Sequence, residues 1–136
     1  MLHSQKCQYA LRAIYELAKR RDESPIRISD VAEAQAIPPR FLENILNELK
    51  QGGFVASVRG RSGGYQMISD PAVLTVGEII RFVQGPIAPV HCMFKGDHDN
   101  CPLADTCPYL AMWRRAEAAL KEVYDTTTFA DLLDNA

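Results

Sequence analysis

Residues 37 to 53 constrain the fold most, because they spell out a helix together with its start and its stop. Ile37-Pro38-Pro39 opens the segment, and proline is well placed in a first helical turn but not inside a helix. Leu42, Ile45, Leu46 and Leu49 then fall at i, i+3, i+4 and i+7, a stripe that has to face a core. Gly52-Gly53 closes the helix. The opposite face is Arg40, Glu43, Asn44, Asn47 and Gln51, side chains able to hydrogen-bond base edges or phosphates.

On either side of that helix the pattern continues. Ser4 is placed to cap a first helix carrying Ala10, Leu11, Ile14, Leu17 and Ala18 at helical spacing, with Lys19, Arg20 and Arg21 near its C-terminal end. After Asp22-Glu23-Ser24-Pro25, a short extended stretch Ile26-Arg27-Ile28 leads to Ser29, expected to cap a short helix with Val31, Ala32 and Ala36 inward. Downstream of Gly53, Phe54, Ala56 and Val58 alternate with Val55 and Ser57. Tyr65, Met67 and Ser69 alternate after the turn Arg59-Gly60-Arg61-Ser62-Gly63-Gly64, giving a hairpin with a cationic tip. Two short helices joined by a tight turn and followed by a basic-tipped hairpin make a winged helix-turn-helix. In such a fold the second helix enters the major groove, and the wing reaches phosphates or the minor groove. Arg40, Glu43, Asn44 and Asn47 on the helix, with Arg59, Arg61 and Ser62 on the wing, are the candidate DNA-binding residues. The glycines at the tip are no dinucleotide fingerprint, since they lie between two strands.

Thr75 and Glu78 form a capping box before a helix with Val76, Ile79, Ile80 and Val83 on its buried side, ended by Gly85-Pro86. Residues 85 to 108 then hold four of the eight prolines, two histidines and three of the four cysteines, with no sustained periodicity. A loop of that length is usually functional or disordered. From about Tyr109 a helical pattern returns through Met112, Trp113, Ala116, Ala119, Leu120, Val123 and Tyr124. An apolar helix that follows a complete domain is expected to pair with a second copy through Trp113, Ala116, Leu120 and Val123. Two-fold symmetry suits a palindromic operator. Thr128 to Leu133 reads as a short amphipathic terminal element. The expected fold is mainly α with a small β-hairpin wing. Its parts are a winged helix-turn-helix over 1–84, a cysteine-bearing sensor loop over 85–108, and a dimerisation helix with a C-terminal tail over 109–136.

Charge supports this division. Residues 1 to 68 hold 10 Lys and Arg against 7 Asp and Glu, while residues 69 to 136 hold 5 against 10. The first half is therefore the better nucleic-acid face. No window approaches eighteen consecutive apolar residues and nothing resembles an export signal, so a cytoplasmic protein with no membrane association is expected. Reducing conditions there disfavour structural disulfides. Cys92, Cys101 and Cys107 are left as metal ligands or redox thiols, and Cys7 as a packing residue or a further ligand. Catalysis is not expected: nothing in the loop supplies an orienting group or an oxyanion hole beside a cysteine.

Several segments together resemble the Rrf2-type bacterial repressors, a family that includes IscR, NsrR and CymR. They are Tyr9-Ala10-Leu11-Arg12-Ala13, Ile37 through Leu42, Ser57-Val58-Arg59-Gly60 with Gly63-Gly64-Tyr65, and Thr75 to Gly85. The resemblance covers essentially the whole chain. It implies a homodimeric winged-helix regulator of double-stranded DNA, and in many members a three-cysteine loop that holds an iron–sulfur cluster, [2Fe-2S] or [4Fe-4S]. Positions matching Arg40, Glu43 and Arg59 make or tune base and groove contacts in such members. Arg40 departs from the small polar residue familiar there.

Eight residues separate Cys92 from Cys101, longer than the five of the best-known cluster binders, while the five between Cys101 and Cys107 agree with them. A flexible loop tolerates three extra residues at small entropic cost. The resemblance places fourth ligands where this chain has Leu110 and Gln8, so Cys7 or His98 is the candidate to complete a set of four. A solvent-accessible cluster is readily lost in an aerobically prepared sample. The competing readings are a metal-free thiol switch, a CymR-like repressor controlled by a partner protein, and a zinc-stabilised winged helix that binds protein.

Overall fold

A computed structural model describes residues 2–94 and 100–135. Six α-helices and one hairpin follow in the order α1 (Gln5–Lys19), α2 (Ile28–Gln35), α3 (Pro39–Gln51), β1 (Val55–Val58), β2 (Gly64–Met67), α4 (Val76–Val83), α5 (Leu110–Thr126) and α6 (Phe129–Asp134). Mainly helical with a two-stranded wing, this is the architecture that the periodicities predict.

Helix α1 is the central post, touched by α2, α3, α4, α6 and β2. The Ser4 hydroxyl accepts from the Cys7 N–H at 3.0 Å, the expected N-cap. Ala10, Ala13, Ile14, Leu17, Val31, Leu42, Leu46 and Leu49 form the main core with Val55 and Ile79. Small alanines on α1 let α2 and α3 approach closely, and the leucines of α3 fill the space between.

One helix start differs from expectation. Ser29 does not cap α2; the helix begins at Ile28 with Arg27 at the cap position and no side-chain cap bond. The chain is pulled that way by Ile26, which exchanges two 2.8 Å backbone bonds with Tyr65 and so adds a third rung beside the wing. A Cβ on Gly64 would collide with the Ile26 carbonyl, so this close approach requires glycine there. Between α2 and α3, Ala36 takes a left-handed conformation (φ 52°) and the Ile37 N–H reaches back to the Ala32 carbonyl, making the sharp turn of the helix pair.

The hairpin pairs Val55 with Met67 and Val58 with Gly64 in antiparallel register. Phe54 lies just outside it and packs edge-on against Phe82 of α4. Thr75 and Glu78 make the expected capping box on α4. At the C-terminus Thr128 and Asp131 make a second one on α6, whose Phe129 is fully buried in the main core. The terminal element thus packs with the N-terminal helices. Among the described residues no helix is long and apolar enough to cross a membrane.

Candidate nucleic-acid interface and sensor loop

Burial of Leu42, Ile45, Leu46 and Leu49 fixes the rotation of α3, and the rotation in turn exposes Arg40, Glu43, Asn44 and Asn47 on its outer side. At the tip of the hairpin Arg59, Arg61 and Ser62 are exposed as well. Among the described residues no ion-pair partner is found for Arg40, Arg59 or Arg61. Their charge is open to phosphate. The wing tip is held by Arg27, whose guanidinium donates to the Arg61 carbonyl at 2.9 Å. Arg27 stands in the short extended stretch before α2, where an arginine immediately ahead of a helix is the one local sign of this strut. Lys6 of α1 and Glu48 of α3 form an exposed ion pair at 2.7 Å along the inner flank of the same helix.

Cys92, Cys101 and Cys107 are all free and half-buried. Cys92 sits in a single 3-10 turn, His91–Met93. Cys101 opens a run of turns in which its carbonyl accepts from Ala104, and the Cys107 carbonyl accepts from Leu110 at the entrance to α5. The three thiols therefore bracket the connection from α4 to α5. In donor chemistry they fit a soft metal or cluster. Among the described residues, however, no three His, Cys, Asp or Glu side chains are gathered closely enough to hold a metal ion. His98 lies outside the described residues.

Cys7 behaves differently. It is fully buried, packed with Ile80 and Ile87 and bordered by Leu11, Val76, Val83, Leu120 and Tyr124. Burial pushes its thiol pKa up, so it stays protonated and packs as a small apolar group. Gln8 is exposed, its amide donating to the His3 carbonyl at 3.2 Å. His3 is half-buried, with Nε2 hydrogen-bonded to the Tyr124 hydroxyl at 2.8 Å and the rings edge-on. It ties the N-terminal arm to α5. His91 is exposed, with its ring stacked edge-on against Phe94.

Helix α5 has no fully buried residue. Leu120 and Tyr124 pack against the Cys7 cluster, and Trp113 lies on the same side at i−7 from Leu120. Leu120, expected at a subunit interface, is partly buried against its own domain in the single chain. Val123 and Met112 are exposed at 54% and 45%, with Ala119 exposed and Ala116 half-buried between them. Arg81 of α4 holds α5 in place through a bidentate pair with Asp125 at 2.6 and 2.8 Å. That hydrogen bond raises the Arg81 pKa and lowers that of Asp125. Gly77 leaves room for the carboxylate: a Cβ there would strike it.

Comparison with known proteins agrees with this geometry. The profile of the Rrf2 family, described as an iron-dependent transcriptional regulator, matches residues 3–135. The chain is 36% identical over 129 residues to the HTH-type transcriptional regulator CymR of Bacillus subtilis, covering 95% of this chain and 87% of that one. It is 32% identical over 130 residues to the regulator IscR of Cronobacter sakazakii, covering 96% and 78%. The solved structure of CymR (YrzC), the global cysteine regulator of B. subtilis, superposes with a TM-score of 0.81 at 33% identity, over 100% of this chain and 98% of that one. A winged helix with an exposed polar reading helix, a basic wing and a cysteine loop before a long helix, matched over its whole length, places this chain in the Rrf2 family of transcriptional regulators.

Proposed function

We propose that the chain is a homodimeric repressor that binds a palindromic operator and that its loop cysteines are the input of the switch. The observation that carries this reading is the position of Cys92, Cys101 and Cys107: three free, half-buried thiols on the stretch of chain that leads from α4 of the DNA-reading domain into α5. In this reading they hold an iron–sulfur cluster, which when bound supplies iron-centred electron transfer and reactivity toward small oxidants. Arg40, Glu43, Asn44 and Asn47 read or approach bases, while Arg59, Arg61 and Ser62 grip the backbone beside the groove.

Dimerisation in this reading uses the outward seam of α5. Met112, Ala116, Ala119 and Val123 recur at spacings of four, three and four, the heptad pattern of a helix pair, and the alanines allow close approach. Because α5 is fastened to α4 through Arg81–Asp125 and Leu120, a change in the loop alters how each reading head sits on the dimer seam.

A metal-free switch is the second reading. The likeness to CymR favours it, as does the absence, among the described residues, of a gathered ligand set. Anaerobic purification followed by absorption spectroscopy with iron and sulfide analysis separates the two. A coloured protein with iron and acid-labile sulfide supports the cluster; a colourless one without iron, whose loop cysteines pair on oxidation, supports the thiol switch.

A further inference from the structure

Phe41 is 61% exposed, the one large apolar side chain that α3 turns to solvent. It occupies the third position of the helix, beside Arg40 and one turn before Asn44. It is also held. Its ring centroid lies 6.4 Å from that of Tyr9 on α1, tilted by 53°. Tyr9 is itself fixed on two sides, by the Gln5 amide donating to its hydroxyl at 2.8 Å and by the Arg12 guanidinium 4.8 Å above its ring. Arg12, Tyr9 and Phe41 thus form a chain of side-chain contacts from α1 to the first turn of α3. The loss of side-chain freedom on binding is correspondingly small.

The first turn of a reading helix reaches base edges in the major groove. Among the groups displayed there, the apolar one is the C5-methyl of thymine, and phenylalanine is one of the side chains that matches it. We propose that Phe41 reads a thymine methyl in each operator half-site, with Tyr9 as its positioning residue. The inference rests on the DNA-binding reading above and adds a base identity to it. A phenyl ring cannot form the hydrogen bonds that Arg40 and Asn44 offer, so its contribution is a preference for thymine over uracil as well as over the other bases.

The test separates this inference from the reading on which it rests. Sites are first selected from random duplex DNA with the full chain. Each thymine of a selected half-site is then replaced by deoxyuridine, which removes only the methyl group, and affinity is measured by fluorescence anisotropy. At one thymine per half-site the wild-type protein should lose about four-fold in affinity, the worth of one buried methyl. Phe41→Ala should bind the thymine site correspondingly more weakly and be indifferent to the exchange, while Phe41→Leu should keep part of the sensitivity and guards against a folding defect in the alanine variant. The proposal is overturned if no thymine is methyl-sensitive, if the half-site has no thymine, or if Phe41→Ala and Phe41→Leu both show the full wild-type loss. If the chain selects no sequence, DNA binding itself fails, and the assignment of Phe41 with it.

Discussion

Cys7 lies against Ile80 and Ile87 with no exposed surface, and the desolvation that raises its pKa disfavours its thiolate. The three loop cysteines are only half-buried. A thiol reagent applied to the folded, reduced protein after chelator treatment should therefore label Cys92, Cys101 and Cys107 and spare Cys7 until the chain is unfolded, as mass spectrometry of the labelled peptides will show. Cys7→Ser should cost roughly 1–3 kcal/mol in a urea melt, since the new hydroxyl is buried among apolar groups. Labelling of native Cys7 at the rate of the others would remove it from the core. From sequence, Cys7 could be a ligand or a packing residue, because only its neighbours across the fold decide the matter. Arg27 and Phe41 were illegible for the same reason: their roles depend on Arg61 and on Tyr9, contacts that no local pattern records.

Helices were far more legible, since each writes its own period and punctuation. The capping boxes, the α3 stripe and the glycine-rich hairpin turn all stand where local chemistry puts them. The start of α2 was misplaced because the backbone pairing of Ile26 with Tyr65 outweighed the capping preference of Ser29. The rotation of α5 was only half readable: its apolar residues cover two faces, and the inward one is identified by Leu120 on the Cys7 cluster. Its attachment has a pH signature. The Asp125 pKa is depressed by the Arg81 hydrogen bond, so the pair stabilises the fold above the ordinary carboxylate range and is lost as pH falls through the lowered value. Both side chains are more than a third exposed, which keeps the effect under about 1 kcal/mol. Asp125→Asn should lose that much at neutral pH, and the gap from wild type in urea melts should shrink as pH drops from about 5 toward 2. A gap that widens on acidification would contradict the assignment.

In the whole molecule, α5 carries an outward seam that one chain leaves uncovered, and the proposed dimer covers it. Val123→Asp should convert the dimer to monomer in sedimentation velocity while leaving the helical circular dichroism unchanged. A variant that stays dimeric would place the interface elsewhere. The fold and the DNA-reading face could be argued from the residues because each element announces itself and their order is specific. The state of the sensor loop could not, since residues 85 to 108 lack a period and, among the described residues, their side chains form no gathered ligand set.

If the loop cysteines control DNA binding, operator affinity measured by anisotropy under anaerobic conditions must depend on their state. Wild-type protein would be compared in its as-isolated and fully reduced, chelator-treated states, alongside Cys92→Ser, Cys101→Ser and Cys107→Ser. A change in affinity of about ten-fold or more between the two wild-type states is predicted, a coupling of about 1.4 kcal/mol, with each serine variant locked at one of the two values. Equal affinity in both states and in all three variants would leave the loop without a part in regulation.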